Sequence, residues 1–172
     1  AHGDARLGIS GFALTANNVT YGAFGDAMQY WNFFPAAAGW GRVPVWGFAD
    51  VTESRSDEIE VGRRVYGYFP MADELVVTPG RAHAHGFTDL AVHRQPMASA
   101  YNRYLFTDTD SLYAAGREGQ QMVLVPLFFT SFVLDDYIGD NHSFGASAAI
   151  ISSASSKTSI GTAFMLNQRP EL

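Results

Sequence analysis

The chain has 172 residues, 47% of them hydrophobic and 16% charged, with a formal net charge of −6 at pH 7 and no cysteine. That composition fits one domain, or one and a fraction, with a true core, and it excludes a disordered tail. It also excludes a disulfide framework, a thiolate zinc site and the basic surface of a general nucleic-acid binder.

The opening AHGDARLGIS has no basic segment followed by a long apolar one, so no secretory signal is expected. ARLGISGFAL (5–14) alternates weakly, as a half-buried strand does. An aromatic stretch follows over 21–42, with Tyr21, Phe24, Tyr30, Trp31, Phe33, Phe34 and Trp40, and Trp46 just beyond. It reads either as an irregular segment packed by its own side chains or as the wall of an apolar pocket. VPVWGFADVTES (43–54), RRVYGYFP (63–70) and DELVVTPG (73–80) are rich in Val, Tyr, Phe and Trp and are punctuated by Gly and Pro, which predicts three more strands. Val65, Tyr66, Leu75 and Val76 are expected in the core. Residues 81–115 hold many turn formers and read as an excursion over the surface.

Helical spacing appears over 116–141, where Phe128, Phe132, Leu134, Tyr137 and Ile138 can share an apolar face and Pro126 is expected to start or kink the helix. Apolar runs such as MVLVPLFF fall short of the ~20 residues of a membrane helix, so no membrane partner and a cytoplasmic setting are expected. AAIISSASSKTSIGTAFML (148–166) reads as a buried strand, a Ser-rich turn and a helix. Free N–H groups at that helix start, with Ser and Thr hydroxyls and Lys157, suit a phosphate. The glycines of a dinucleotide fingerprint are missing, and an ordinary Ser-capped helix reads the same way. Overall the chain is expected to be mainly β with α (α+β).

GFALTANNVTYGAFG, VPVWGFADVTES (with Pro44 and Gly47), EVGRRVYGYFPMADELVV, VPLFFTSFVLDDYI and AIISSASSKTSIGTAFML occur in this order. Together they resemble the medium-chain dehydrogenase/reductase superfamily, most closely at 61–77. ALTANNVTYGAFGD, WGFADV, VYGYFPMA, HGFTD, YNRY and SSASSKT are similar to a bacterial subgroup of it known only as a domain of unknown function.

The resemblance implies a GroES-like, partly open β-barrel over roughly residues 5–100. The catalytic domain would be 1–125, with 126–172 a connecting helix and the first βα unit of a truncated Rossmann domain. It implies a zinc-independent NADP(H)-dependent reductase acting on an activated alkene, quinone or carbonyl, with this chain alone inactive and not binding NADP(H) tightly. The alternative is a non-catalytic, reductase-like small-molecule binding protein.

Tyr21 and Asn18 would be catalytic, and Asn17, Tyr66 and Trp46 would line a substrate pocket in a cleft between barrel and βα unit. Thr130, Ser155, Ser156, Lys157 and Thr158 would face the cofactor. Turn chemistry explains Asn17 and Asn18 equally well. No metal site is expected: the superfamily's zinc site needs a His-Glu pair, and only His83, His85, His93, His142 and His2 are supplied. FTDTD (106–110) and the Asp135–Asp136 pair read as caps and surface charge. A strand over 147–153 without its sheet is expected to pair with its copy in a homo-oligomer.

Overall fold

The computed structural model describes residues 3–153 and 155–169; the expectation for His2 lies outside them. The chain divides into two compact units, 1–122 and 123–172.

The first unit is built on seven antiparallel strands: β1 (Ala5–Phe12), β2 (Pro44–Ser54), β3 (Arg64–Pro70), β4 (Glu74–Val77), β5 (Pro79–His83), β6 (Gly86–Asp89) and β7 (Arg103–Phe106). Their order in the sheet is β4-β1-β2-β3-β7-β6-β5. The two outermost strands are therefore consecutive in the chain, separated by Thr78 alone. One bent segment serves both ends of the sheet, which curls into a half-barrel. With three helices, α1 (Ala16–Ala23), α2 (Glu118–Asp140) and α3 (Lys157–Leu166), the molecule is α+β.

The strands expected at 5–14, 43–54 and 63–70 form there, and the one expected at 73–80 is divided at Thr78 between β4 and the start of β5. β2 pairs with β3 so that Val45 faces Phe69, Gly47 faces Gly67 and Ala49 faces Val65 on one face. These aliphatic and aromatic side chains join Leu7, Val51, Val77, Phe87 and Phe106 in the main core. Val65 and Tyr66 are buried and Leu75 is partly buried, but Val76 is 50% exposed. Alternation explains the correction: Val77 points inward on β4, so Val76 points out.

Residues 81–115 are not a surface excursion. They complete β5 and supply β6 and β7, and Phe87, Tyr104 and Phe106 are core residues. These strands were hard to read because each turns only one or two apolar side chains inward.

A buried guanidinium ties this region to the barrel. Arg94 is fully buried, and its Nε donates to Asn102 Oδ1 (3.1 Å). Its Nη1 donates to Asp89 Oδ2 (3.1 Å) and to the Tyr104 hydroxyl (2.6 Å). The Tyr104 hydroxyl donates in turn to the Tyr68 carbonyl of β3 (2.7 Å). The Tyr104 ring lies over Gly67, where a Cβ would come within 2.5 Å of Cδ1, so only glycine fits.

The second unit holds most of α2, a turn and α3. α2 starts at Glu118, eight residues ahead of Pro126, so Pro126 lies inside the helix rather than at its start. The apolar residues expected to share one face, Phe128, Phe132, Leu134 and Tyr137, are all exposed by more than 40%. The helical stretch Ala115–Asp140 is long and apolar enough, by length and composition alone, to cross a membrane, contrary to the reading of the short runs, and 11% of its apolar window is buried. His142, Ser143, Phe144 and Gly145 have φ of 49°, 50°, 53° and 74°, a left-handed turn.

α3 packs on α2 through a small-residue contact. Ser131 is fully buried and donates to the Thr158 carbonyl (2.8 Å), and a Cβ on Gly161 would meet Ser131 Oγ at 2.6 Å. Residues 146–153 form no strand, and Ile150 is fully exposed. A strand buried on both faces needs paired neighbours for its N–H and C=O groups. The described residues of this unit contain no other strand to supply them.

Replacing Arg94 with Met should cost about 3–5 kcal/mol, because Asp89 would be left charged and unpaired in the interior. Chemical denaturation measures this. A loss under about 1 kcal/mol would show that the network contributes little.

Candidate functional site

The segment after β1 is a helix, not a loop. Thr15 stands at its N-cap. Its N–H donates to Asn18 Oδ1 (2.6 Å), and the Asn18 N–H donates to the Thr15 carbonyl (3.0 Å). Asn18 Nδ2 donates to the Pro44 carbonyl of β2 (2.8 Å), and the side chain is buried. Asn18 thus spends its amide on capping α1 and fastening it to β2, the turn-type role open to it from sequence. Asn17 beside it is exposed. An open, apolar groove of about 450 Å³ runs past Asn18 between Leu14, Thr15, Val19, Val43 and Met71.

Tyr21, one turn further along α1, joins an aromatic surface on the second face of β2 and β3. Cross-strand pairing sets Trp46 opposite Tyr68, Phe48 opposite Tyr66 and Asp50 opposite Arg64. Trp46 stacks on Tyr66 (5.6 Å between ring centroids, 18° between planes) and also packs on Tyr68 (5.0 Å). Tyr21 lies on Tyr30 (4.3 Å) and meets Tyr68 edge-on (6.4 Å). Phe33 and Phe34 are buried against Tyr68. Phe33 and Phe34 of the aromatic stretch are therefore packed, with Tyr21, Tyr30 and Trp46 partly buried around Tyr68, whereas Phe24 and Trp40 are exposed. The structure brings together Tyr21, Trp46 and Tyr66 through Tyr68.

Burial raises the Tyr21 hydroxyl to a pKa of about 12, helped by the nearby Tyr101 and Tyr30 hydroxyls. Tyr66 is pushed higher still, first by burial and then by the charge of Asp110, so both phenols stay protonated at neutral pH.

Sequence reasoning missed the polar end of this surface. Arg64 Nε and Nη2 grip Glu118 through both carboxylate oxygens (2.7 and 2.8 Å), and Nη1 holds Asp50 (2.8 Å). The Tyr113 hydroxyl donates to Glu118 Oε1 (2.8 Å), and Arg64 holds the Glu118 carboxyl below its ordinary pKa. The signal was alternation: Arg64 lies two residues before Tyr66 on one strand and so shares its face.

The residues expected to face a cofactor lie in the second unit. Ser156 is the N-cap of α3, its Oγ accepting from the Ser159 N–H (3.0 Å) and donating to Ser159 Oγ (2.8 Å). Ser155 and Lys157 are exposed, and Thr158 gives its carbonyl to Ser131 and Thr162. Exposed Thr130 bonds back to the Pro126 carbonyl (3.3 Å). These residues do not fit a dinucleotide pyrophosphate. Among the described residues no strand leads into the turn, Ser156 is committed to its helix, and Gly161 serves the contact with Ser131 rather than a close backbone approach.

Among the described residues no group of three or more His, Asp or Glu is placed to hold a metal. His83 Nδ1 accepts from the His85 N–H (3.2 Å), and both rings are exposed. Asp108 pairs with Arg63 (2.7 Å) at the surface, as expected of FTDTD, whereas Asp135 is buried in an ion pair with Arg169 (2.7 Å) and is not surface charge.

The raised Tyr21 pKa predicts a loss of stability at alkaline pH. Folding favours the neutral form, so this contribution is complete below pH 10 and is lost as pH rises from 10.0 towards about 12. Tyrosinate absorbance and loss of far-ultraviolet dichroism should therefore rise together over that interval. Ionisation of most tyrosines near pH 10 with the dichroism intact would contradict this.

No curated protein and no solved structure matches the chain. A family model does, over residues 12–172, which takes in the second unit and the first from the last residue of β1 onward, with the aromatic cluster. The chain belongs to that family, described as a protein of unknown function (DUF2855).

Proposed function

We propose that the first unit is the substrate-binding side of a zinc-independent, NADP(H)-dependent reductase for an activated alkene, quinone or carbonyl. In this reading the half-barrel is a GroES-like catalytic domain and α2–α3 the start of a Rossmann domain. The observation that carries it is Tyr21, a half-buried phenol kept protonated on an aromatic wall with Trp46 and Tyr66. A planar unsaturated substrate stacks favourably on such a wall, and reduction leaves an enolate or alkoxide oxygen that takes a proton from a positioned donor. Tyr21 is that donor, and Asn18 supports it indirectly by fixing α1 to β2. No step through the nicotinamide is assigned, since Ser155, Ser156, Lys157 and Thr158 do not make its phosphate cradle.

A second reading, a non-catalytic small-molecule binding protein, is favoured by that misfit. Adding NADPH and a quinone to the intact protein, as distinct from this chain alone, and following nicotinamide absorbance separates the two. The reductase reading expects NADPH oxidation that falls at least tenfold in Tyr21→Phe with the fold intact. No oxidation up to millimolar NADPH leaves the binding reading, and an unchanged rate in the variant makes Tyr21 a packing residue.

We also propose a homo-oligomer through the second unit, by a different route from strand pairing. Phe129, Phe144, Ile150, Ile160 and Phe164 are each more than half exposed there. Sedimentation at micromolar concentration should show a dimer or larger species that Phe129→Ser with Phe164→Ser dissociates. A monomer throughout would end this proposal.

A further inference from the structure

The chain has eight tyrosines and no cysteine. Two of the tyrosines are set apart by their placement. The ring centroids of Tyr21 and Tyr30 lie 4.3 Å apart with planes inclined at 38°, the shortest ring separation among the described residues. Both rings are partly exposed, so a dissolved oxidant can reach them and water can take their protons.

The local fold builds this contact. α1 ends at Ala23, and the Met28 N–H bonds back to the Phe24 carbonyl (2.8 Å). Gln29 then takes φ of 59°, which turns the chain so that Tyr30 returns over Tyr21. Trp31, the next residue, is held against Gly25 and Gly41, where a Cβ would come within 2.0 and 2.7 Å of its ring. Tyr30 is thus fixed by its neighbour as well as by its own packing. The other tyrosines lack one condition or another. Tyr68 and Tyr101 are 4.8 Å apart, but Tyr68 is fully buried among Phe33, Trp46 and Tyr21. Tyr66 and Tyr104 are buried as well. Tyr113 and Tyr137 pack on phenylalanines, Phe48 at 5.9 Å and Phe144 at 5.6 Å.

We infer that Tyr21 and Tyr30 form an oxidative coupling site, where a one-electron oxidant joins the two rings by a carbon–carbon bond ortho to their hydroxyls. Two equivalents of oxidant each take up one electron. Each phenol gives its O–H proton to water and becomes a phenoxyl radical. The radicals pair to form the bond, and the two ortho hydrogens then shift to the oxygens as the rings regain aromaticity. The net loss is two electrons and two protons. Directly bonded rings keep their centroids close to the separation seen here, so coupling turns the rings without moving the backbone. Radicals already in contact combine far faster than radicals that must meet by diffusion. No thiol in the chain is present to intercept them.

The test exposes the whole chain, at micromolar concentration, to two equivalents of tris(bipyridine)ruthenium(III) generated by light and persulfate. Blue dityrosine fluorescence should appear. Trypsin cuts after Arg6 and Arg42, so both rings fall in peptide 7–42. That peptide should be lighter by two hydrogens and should release no backbone fragments between residues 21 and 30. Tyr21→Phe and Tyr30→Phe keep the ring contact and should each lower the product about tenfold or more, whereas Tyr101→Phe should leave it unchanged. If one of the first two fails to fold, the other decides. A peptide 7–42 of unchanged mass, links formed mainly between chains, or a product that survives in either variant would overturn the inference.

The site stands on ring geometry and not on hydride transfer. Its regulatory meaning rests on the reductase reading, because the new bond ties down the proposed proton donor. NADPH oxidation by the intact protein should then fall in proportion to the coupled fraction. Turnover that survives full coupling would remove Tyr21 as donor and leave the coupling site in place.

Discussion

The barrel depends on the burial of one guanidinium. Arg94 has no contact with solvent, so its charge must be answered by protein groups, and Asp89, Asn102 and Tyr104 do so. Each partner holds something else. Asp89 Oδ1 accepts from the Thr78 and Ala91 N–H groups, fixing the bend between β4 and β5. Tyr104 anchors β7 to the Tyr68 carbonyl and lays its ring on Gly67. Asn102 Nδ2 returns to the Arg94 carbonyl (2.8 Å), closing the loop that carries the arginine. Arg94 also lies over Phe34 (5.0 Å), joining the aliphatic core to the aromatic one.

The second face of β2 and β3 inherits its order from this arrangement. Tyr68 is held from behind through its carbonyl, and from it the stack extends to Trp46 and Tyr66 on one side and Tyr21 on the other. The face is graded along the strands, from aromatic pairs at Trp46–Tyr68 and Phe48–Tyr66 to an ion pair at Asp50–Arg64. Phe48, Tyr66 and Tyr68 are buried, so this gradient passes from an apolar interior to a partly exposed ion pair at the end of the strands.

Much of this was legible in the residues, and the failures have physical causes. β1 was readable from its weak alternation, and β2 to β4 because Val, Tyr, Phe and Trp cluster between Gly and Pro. Val76 was placed inside together with its neighbour Leu75, although adjacent residues of a strand face opposite ways and only one of the two can point to the core. β6 and β7 were missed because HGFTD and NRYLF carry so few inward apolar residues that their pairing is decided by distant partners, Arg94 above all. The run at 148–151 has the composition of a buried strand, but composition cannot create the neighbours that a strand requires. Asn18 was recognised as special; its use as a cap follows from Thr15 three residues earlier. The charged end of the face went unread because Arg64, Glu118 and Asp50 are far apart in sequence.

The bend at Thr78 also bears on how the molecule avoids its neighbours. A sheet of seven strands offers two lateral rims where a foreign strand could dock and seed cross-β growth. Here the rims are β4, four residues long, and β5, five residues long. β5 opens on Pro79, which has no N–H to offer, and Arg81 within it adopts φ of 53°, breaking the regular array of donors. An incoming strand would find too few aligned groups on either rim to hold register. The same bend that shapes the half-barrel therefore keeps its margins from acting as templates.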